Sequence, residues 1–302
     1  MPDPEGRATG AGRRTPLQGR LSPPSLRIDS LGRVRFGLNF PNFGLYAEPG
    51  LLVDLAIAAE EAGWDGFFVW DHIVVDDGMP VADPWVLLGA IGQATSRVHI
   101  GPMVAALPRH RPWEVARRAV TLDLLTGGRM ILGVGIGYWP EVEFGTFDDP
   151  TDARERADML DEALTIIQAV WSGEAFDFEG EHYTIAENRF APRPLGKIPI
   201  WVAGMLPNLR PLRRAARFDG VVPMRSDEQP LDPSDVAMIA GYVKTHREGD
   251  EAYDVVIGGP PTVDIEAFEQ AGATWILSGP DLDDEPVEET IAWLRSGPPQ
   301  LG

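Results

Sequence analysis

The sequence contains no cysteine in its 302 residues. This absence excludes a disulfide framework, a thiolate nucleophile and any metal site that is built on cysteine. Lysine is almost absent too: Lys197 and Lys244 are the only two among 26 Lys and Arg residues. No uncharged apolar run reaches the length of about 18 residues that a membrane span needs, and the N-terminus lacks the apolar core of a secretory signal. We therefore expect a cytoplasmic protein without a membrane partner.

Common catalytic and metal-binding motifs are also missing. The five histidines show neither H-x-x-x-H nor H-E-x-x-H spacing, and the chain has no G-x-S-x-G elbow and no P-loop. Histidines without ligand spacing do not predict a metal site, so we expect none. By elimination, the chemistry is expected to belong to a bound organic cofactor that the protein positions.

The net charge of −20 is unevenly distributed. Residues 1–33 carry six arginines against three acidic residues, which leaves residues 34–302 at a formal charge of −23. Residues 34–302 are too acidic to contact many phosphate groups, which argues against a nucleic-acid partner. The composition of residues 1–33, rich in proline, glycine and arginine, predicts a disordered N-terminal extension; an arginine-rich arm for an acidic partner is the alternative.

From residue 34 onward, apolar stretches typical of strands alternate with amphipathic stretches typical of helices. Eight such pairs predict a single (β/α)8 TIM barrel over residues 34–302, with a doubly wound open sheet as the alternative. A β-hairpin insertion at 175–185 is predicted after the fourth helix, whose cap we expect to be Thr151. The predicted strands cover 34–40, 66–72, 98–107, 129–137, 198–204, 219–224, 253–259 and 273–279.

The second predicted strand ends in "FFVWDHI", where large apolar residues run into Asp71 and His72. Because the active site of a (β/α)8 barrel lies at the C-terminal ends of its strands, both residues are expected at the barrel mouth. A helix-capping aspartate beside a partly buried histidine is the alternative. The same reasoning selects further candidates at other strand ends: Asn39, residues 103–107, Gly135, Gly137, Tyr138, Gly204, Met224 and Gly258.

Three further stretches suggest ligand contacts. "GVGIGY" at 133–138 lacks the third glycine and the immediate helix of a dinucleotide fingerprint. Its glycines either admit a flat ligand close to the backbone or relieve crowding. "PRHRP" at 108–112 is either an anion-binding loop or a solvated one. The arginine-rich stretch after Gly204, at 209–218, is suited to anion binding, with a solvated helix as the alternative.

Several separated motifs together resemble the bacterial luciferase-like oxidoreductases. They are "VWDHI", "TGGRMILGVGIGYW", "MLDEALTIIQAVWSGE", "FDFEGEHYTI" and "PIWVAG" followed by "RRAARFDGVV", in the family's order, and the likeness covers about residues 34–297. The resemblance implies a (β/α)8 barrel enzyme that uses either reduced FMN with oxygen or the deazaflavin coenzyme F-420.

The resemblance also assigns roles to residues. His72 would lie beside the (deaza)flavin ring with Asp71 orienting it, and these two are the expected catalytic residues. A bulge with a non-prolyl cis peptide behind the ring is best matched by Met103–Val104, and Ala203 to Met205 would meet the cofactor phosphate. The cofactor-binding residues implied are Asn39, Asp71, His72, Met103, Val104, Ala105, Gly135, Gly137, Tyr138, Ala203, Gly204 and Met205.

Departures from relatives narrow the activity. Tyr138–Trp139 stand where the related glucose-6-phosphate dehydrogenases carry a proton-donating glutamate, and the chain lacks their lysines, so a sugar phosphate substrate is not expected. Luciferases proper use a reactive cysteine and a partner subunit, which argues against bioluminescence. The apolar strand ends instead predict a hydrophobic substrate held by Phe40, Phe43, Trp70, Trp139 and Met224.

Three functions remain open at this point. The leading hypothesis is F-420-dependent hydride transfer to or from a hydrophobic small molecule, with His72 relaying a proton or stabilising charge. The alternatives are an FMN-dependent monooxygenase supplied by a separate flavin reductase, and a catalytically inactive flavin-binding barrel. Relatives are often dimers, so we expect a homodimer; Trp113 on the third helix either contributes to that interface or belongs to the core.

Overall fold

The computed structural model describes residues 33–259, 264–280 and 287–299. Apart from Arg33, the N-terminal extension predicted for residues 1–33 lies outside the described residues. The remaining predicted elements are all found, with ends that shift by one to three residues in most cases.

The strands form one parallel sheet and one separate antiparallel pair. Within the described residues the parallel sheet has the order β3-β2-β1-β11-β10-β9-β8-β5-β4, and β6 pairs with β7. The strands are β1 (Arg35–Phe40), β2 (Gly66–Val69), β3 (His99–Pro102), β4 (Ala105–Ala106), β5 (Leu132–Gly135), β6 (Ala175–Glu179), β7 (Thr184–Arg189), β8 (Ile200–Leu206), β9 (Gly220–Arg225), β10 (Asp254–Gly258) and β11 (Trp275–Ser278).

Helices connect successive parallel strands. They are α1 (Pro49–Ala62), α2 (Pro84–Ala94), α3 (Pro112–Thr126), α4 (Pro140–Glu143), α5 (Ala153–Ser172), α6 (Arg210–Ala215), α7 (Pro233–His246), α8 (Ile265–Ala271) and α9 (Val287–Arg295). Asp83 caps α2 as its sequence suggests, since its carboxylate accepts hydrogen bonds from Trp85 N and Val86 N. The expected cap of α5 was wrong: the carboxylate of Asp152, not Thr151, accepts from Arg154 N and Glu155 N.

The sheet closes on itself because β3 and β4 are two halves of the third barrel strand. β3 pairs with β2 and β4 with β5, so the strand changes neighbours at residues 103 and 104. Where the two ends of the sheet meet, Ile131 N donates a hydrogen bond to Ile100 O at 2.9 Å. A Cβ on Gly101 would lie 1.8 Å from Ile131 O, so glycine is required for this approach. Closure confirms the TIM barrel and excludes the open sheet.

The predicted hairpin insertion is longer than expected and is tied to the helix before it. β6 and β7 extend to Arg189, and the Glu162 carboxylate of α5 accepts hydrogen bonds from the backbone N–H groups of Glu181, His182 and Tyr183 at the turn. Trp113 of α3 packs edge-on against Tyr183, with ring centroids 6.3 Å apart. Among the described residues, Trp113 therefore contacts the hairpin.

Apolar side chains form two layers. The larger lies between strands and helices; the smaller fills the barrel interior and comprises Phe68, Met103, Ile131, Trp201, Val256, Trp275 and Leu277. This interior layer blocks the barrel towards the N-terminal ends of its strands and leaves the other end open. In the described part of the chain, no helix is long and apolar enough to cross a bilayer.

Candidate active site

A cavity of about 1750 Å³ opens at the C-terminal ends of the strands. The ends of β1, β2, β5, β8 and β9 and the break between β3 and β4 all contribute to its wall. In a parallel barrel these ends face the same side, which is why residues far apart in the sequence meet there.

Most residues selected from the sequence line this cavity. From the cofactor-binding set these are Asn39, Asp71, His72, Met103, Val104, Gly135, Gly137, Tyr138, Ala203, Gly204 and Met205, and from the substrate set Phe43, Trp70, Trp139 and Met224. The Met103–Val104 peptide bond is cis, as the resemblance implied. Gly258 is not part of the wall.

Two predicted site residues lie elsewhere. Phe40 is completely buried and stacks on Phe67, with ring centroids 5.1 Å apart. Ala105 is also fully buried, and its neighbour Ala106 lines the cavity instead. Successive residues of a strand point to opposite faces, so with Asn39 facing the cavity, Phe40 must face the helix layer.

His72 lies in an aromatic cluster at one end of the cavity. The centroids of Phe43, Trp70 and Trp139 are 5.5, 5.8 and 4.9 Å from its ring. Its backbone is fixed by Asn42, whose Oδ1 accepts from His72 N at 3.2 Å and whose Nδ2 donates to His72 O at 2.8 Å. His72 is therefore a positioned side chain with apolar surroundings, not a loosely held one.

A buried carboxylate that the sequence did not reveal holds the His72 ring. Glu143 of α4 is 1% exposed, and its Oε1 lies 3.3 Å from His72 Nδ1. The same oxygen accepts from Ile73 N at 3.0 Å, and the other carboxylate oxygen is bound by Arg109. An ionised carboxylate can only accept, so His72 Nδ1 carries the proton. Nε2, for which no partner exists among the described residues, is left for the cavity.

Asp71 does not contact His72, so any effect that it has on the His72 ring is indirect. Its carboxylate accepts from Arg109 at 2.8 Å, from His110 Nε2 at 2.8 Å and from Ala106 N at 3.0 Å. Arg109 thus joins two carboxylates, Asp71 and Glu143. In the "PRHRP" loop, Arg109 and His110 bind carboxylates of the chain itself, so these two side chains are neither solvated nor free for a ligand anion.

The network keeps both carboxylates ionised although they are buried. Burial by itself would raise the pKa of Asp71, but the hydrogen bond from His110 and the charges of His110 and Arg109 lower it to about 2. Burial opposes ionisation of Glu143 as well, and the His72 hydrogen bond with the Arg109 charge lowers its pKa below the usual range. The mouth of the barrel therefore contains fixed charges behind an aromatic surface.

Crowding accounts for the glycines at the end of β5. Gly137 has φ +83°, and a Cβ there would lie 2.5 Å from Phe144 Cζ. A Cβ on Gly135 would lie 2.9 Å from Val104 Cγ2. Both glycines line the cavity, so the tight packing also keeps that wall flat.

Two buried polar atoms on the cavity wall lack a partner among the described residues. They are Asn39 Oδ1, an acceptor, and Trp70 Nε1, a donor. Buried polar groups are normally hydrogen-bonded. Both atoms are covered by protein, so a ligand would reach them only if the two side chains turned towards the cavity. In the described part of the chain, no group of three or more His, Cys, Asp or Glu side chains could hold a metal ion.

A closed (β/α)8 barrel with a histidine-bearing pocket at its strand ends is the architecture of a barrel enzyme. A family model described as luciferase-like monooxygenase matches residues 34–286. The chain belongs to this family and is an oxidoreductase.

Sequence relatives agree with this assignment. An F420-dependent glucose-6-phosphate dehydrogenase of Microbacterium testaceum is 38% identical over 53% of this chain, and the match spans 48% of that protein. The chain therefore spans about half the length of this relative. An uncharacterized protein of Mycobacterium tuberculosis is 30% identical over 80% of this chain and 91% of its own length.

Solved structures share the fold. An F420-dependent secondary alcohol dehydrogenase in complex with an F420-acetone adduct has a TM-score of 0.70 at 18% identity, covering 83% of this chain and 95% of that one. A monooxygenase from Streptomyces bottropensis has a TM-score of 0.69 at 19% identity, covering 87% of this chain and 97% of that one. At identities this low, the likeness shows a shared fold only. The chemistry has to be inferred from the residues of the site.

Proposed function

We propose that this chain transfers hydride between the deazaflavin coenzyme F-420 and a hydrophobic small molecule at the barrel mouth. The observation that carries the proposal is the positioned His72, whose Nε2 has no partner among the described residues, in a cavity that the glycines at the end of β5 also line. Glycines leave the backbone accessible, so a flat heterocyclic ring can lie close to this wall. Bound F-420 would supply a ring carbon that gives or takes hydride.

The chain's own residues would then move the proton. With Nδ1 protonated and held by Glu143, His72 Nε2 can accept a proton from a substrate hydroxyl or, once charged, return one to a carbonyl. Asp71 acts at a distance, because it fixes Arg109, which in turn fixes Glu143. His72 is the proposed catalytic residue, and Asp71 and Glu143 are proposed positioning residues.

The substrate class is proposed from the wall of the cavity. Phe43, Trp70 and Trp139 supply aromatic surface around His72, and Met224 adds apolar surface to the same cavity. The arginines among the described lining residues belong to α5, to α6 and to the segment just after α6. The aromatic surface favours a hydrophobic or aromatic substrate beside His72. The relatives that are glucose-6-phosphate dehydrogenases match only half of the chain, so their substrate is not carried over.

The second candidate is an FMN-dependent monooxygenase. The aromatic cluster around His72 favours it to the same degree, because apolar walls keep water from a reactive reduced flavin. That activity would require a separate reductase to supply reduced FMN. A catalytically inactive barrel is the third candidate, and the complete network from Asp71 to His72 argues against it. A homodimer stays a prediction.

Cofactor titration tests the proposal. Oxidised F-420 and FMN are added separately while the intrinsic tryptophan fluorescence is followed, since Trp70 and Trp139 line the cavity. We expect micromolar or tighter binding of F-420 and much weaker binding of FMN. His72→Ala should weaken F-420 binding, whereas His246→Ala, on the exposed face of α7, should not.

The outcomes separate the three candidates. If F-420 binds, its reduction by a panel of alcohols, and the oxidation of its reduced form by carbonyl compounds and activated alkenes, identify the hydride partner. A clear preference for FMN would contradict the proposal and point to oxygen consumption with a reductase. Binding of neither cofactor would contradict all three candidates and leave a resemblance of fold alone.

A further inference from the structure

Two of the residues that contact the His72 ring come from one short segment. The centroid of the Trp139 ring lies 4.9 Å from that of His72, and Glu143 Oε1 lies 3.3 Å from His72 Nδ1. The segment is residues 136–144, from the end of β5 to the residue after α4, and we call it the α4 loop. Any contact that fixes the α4 loop therefore also fixes two of the contacts of His72.

The α4 loop has a backbone conformation that needs support from outside. Trp139 has φ +43°, in the left-handed region, which is unfavourable for a bulky side chain. Only one turn of helix follows, in which Trp139 O accepts hydrogen bonds from Val142 N and Glu143 N at 3.0 and 2.8 Å. So short a helix is not stable by itself. Tertiary contacts must therefore hold the loop in place.

Arg156 of α5 contacts both ends of the α4 loop. Its Nη1 donates to Ile136 O at 3.2 Å, and its guanidinium carbon lies 4.5 Å from the centroid of the Phe144 ring. The Phe144 ring packs in turn against Gly137, where a Cβ would lie 2.5 Å from Phe144 Cζ. One planar side chain thus joins the first residues of the loop to its last residue. We call the two contacts of Arg156 the Arg156 clamp.

Space filling does not explain an arginine at this position. Arg156 is 3% exposed, and the described residues place no carboxylate within ion-pair distance of its guanidinium group. Burial lowers its pKa, and the charges of Asp152 and Glu141, which act from further away, only partly oppose this. Its Nε is buried without a hydrogen-bond partner in the described part of the chain. A methionine would fill similar space without the cost of burying a charge.

We propose that Arg156 is a positioning residue for His72 and acts by holding the two ends of the α4 loop together. The clamp keeps the Glu143 carboxylate where it accepts from His72 Nδ1, so the proton stays on Nδ1 and Nε2 remains an acceptor in the cavity. It also keeps Trp139 against the ring. The position of the ring does not depend on which cofactor binds, whereas the consequence for proton transfer rests on the proposed function.

Arg247 provides a matched control, because it makes the same kinds of contact elsewhere. It donates to Phe218 O, its guanidinium carbon lies 4.9 Å from the centroid of the Tyr253 ring, and its Nε is buried without a partner among the described residues. Phe218 and Tyr253 precede β9 and β10, so these contacts lie at the closed end of the barrel. Arg156→Met and Arg247→Met therefore remove equivalent interactions, near His72 and far from it.

The test is the tautomer of His72 in the full chain without added cofactor, measured by nitrogen-15 NMR of the labelled imidazoles. The spectrum of His72→Gln assigns the signal. In Arg156→Met we expect the minor, Nε2-protonated tautomer to increase about fivefold, which corresponds to the loss of one hydrogen bond of ordinary strength. Arg247→Met should leave the tautomer ratio unchanged.

Two further measurements separate positioning from a general loosening of the fold. The two methionine variants lose equivalent contacts, so their urea denaturation midpoints should fall by similar amounts while only Arg156→Met changes the tautomer. Arg156→Lys should restore the ratio only in part, because an ammonium group cannot lie flat on a ring while it donates to a carbonyl. If Arg156→Met does not fold, Arg156→Lys provides the test.

Three results would overturn the proposal. They are an unchanged ratio in Arg156→Met, the same change in Arg247→Met, and a wild-type ratio in Arg156→Lys, which would mean that the charge alone is sufficient. None of these measurements involves F-420. A confirmed clamp in a chain that binds no F-420 would leave Arg156 as a positioning residue for His72 while the proposed function fails, so the two failures are distinguishable.

Discussion

The two ends of the barrel each hold an aspartate, buried at the open end and partly buried at the closed end, and they hold its carboxyl group in different ways. At the closed end, Asp254 accepts from Thr274 Oγ1 at 2.9 Å, Trp201 Nε1 at 3.1 Å and Arg35 at 3.2 Å, and burial raises its pKa. At the open end, Asp71 is held by His110 and Arg109, and its pKa falls to about 2 despite burial.

The difference reflects what each end must do. The closed end is filled by Phe68, Trp201 and Trp275. Two of the three donors to Asp254 are neutral, so its carboxyl group contributes to packing rather than to binding. The open end keeps a cavity, and a buried charge beside a cavity persists only if it is paired. Its ion pairs hold Glu143 against His72. The closed end is therefore expected to govern stability, and the open end to govern both stability and binding.

The largest effect is expected from Asp71→Asn. Removing one partner of a buried ion pair leaves Arg109 undercompensated, so the free energy of unfolding should fall by about 4 kcal/mol. Urea denaturation at neutral pH measures the loss. The matched change at the closed end, Asp254→Asn, removes a group held largely by neutral donors and should cost about 1 kcal/mol. Equal losses would contradict the contrast between the two ends.

Arg129→Leu should destabilise the closed end without affecting binding. Arg129 is buried and donates to five acceptors, namely Thr126 O, Thr95 Oγ1, Val98 O, Gly92 O and Thr95 O. Leaving these groups unsatisfied should cost about 3 kcal/mol of unfolding free energy. The F-420 affinity of the folded variant, measured by fluorescence titration, should be unchanged. A large loss of affinity would show that the two ends are coupled.

Acid should weaken the open end through Asp71. Its pKa in the folded state is about 2, below the ordinary value of 3.8, so its contribution is present above about pH 4 and is lost as the pH falls towards 2. The size of that contribution is about 2 kcal/mol. The difference in unfolding free energy between the wild type and Asp71→Asn should narrow, without vanishing, as the pH falls from 5 to 3. A constant difference would contradict the assignment.

Glu143→Gln should change the tautomer of His72 and, like Asp71→Asn, lower the stability of the fold, because it also removes a buried carboxylate partner of Arg109. The wild-type carboxylate favours a proton on Nδ1, whereas a neutral amide can donate or accept and lets both tautomers form. Nitrogen-15 NMR of the labelled imidazoles reports the tautomer directly. His246, which lies 2.8 Å from Tyr242 O on α7, is the internal control and should not change. An unchanged His72 signal would mean that Glu143 does not position the ring.

The smallest effect is expected from Tyr138→Phe, at an exposed position of the cavity wall. Tyr138 donates to Glu228 at 2.5 Å, and that hydrogen bond raises the pKa of the phenol. Both groups are exposed, so Tyr138→Phe should change the unfolding free energy by less than about 0.5 kcal/mol. In a spectrophotometric titration, Glu228→Gln should shift one tyrosine to lower pKa. If no tyrosine shifts, the hydrogen bond does not form in solution.

The strand ends could be predicted from sequence because they follow from local patterns. Alternating strands and helices indicate the barrel, and the barrel fixes where Asp71, His72 and Gly204 must lie. The same reasoning failed one residue further on, at Phe40 and Ala105. Strand periodicity assigns Asn39 and Phe40 to opposite faces, but it does not say which face of a strand points to the cavity.

The partners of His72 could not be predicted. Glu143 lies on a four-residue helix, which is too short for any helical period, and only Pro140 at its first position hints at it. Arg109 is 38 residues from Asp71 and 34 from Glu143, and no local pattern links them. The "PRHRP" stretch signalled a concentration of positive charge, but sequence alone could not show that the chain supplies the anions.

Hydrogen exchange with and without cofactor tests most directly the claim that the open end is the binding end. We predict that F-420 protects backbone amides in residues 67–73, 103–109 and 135–139, and leaves residues 97–101 and 251–256 at the closed end unchanged. FMN should give weaker protection in the same places. Protection at the closed end, or protection by FMN with none by F-420, would contradict the account.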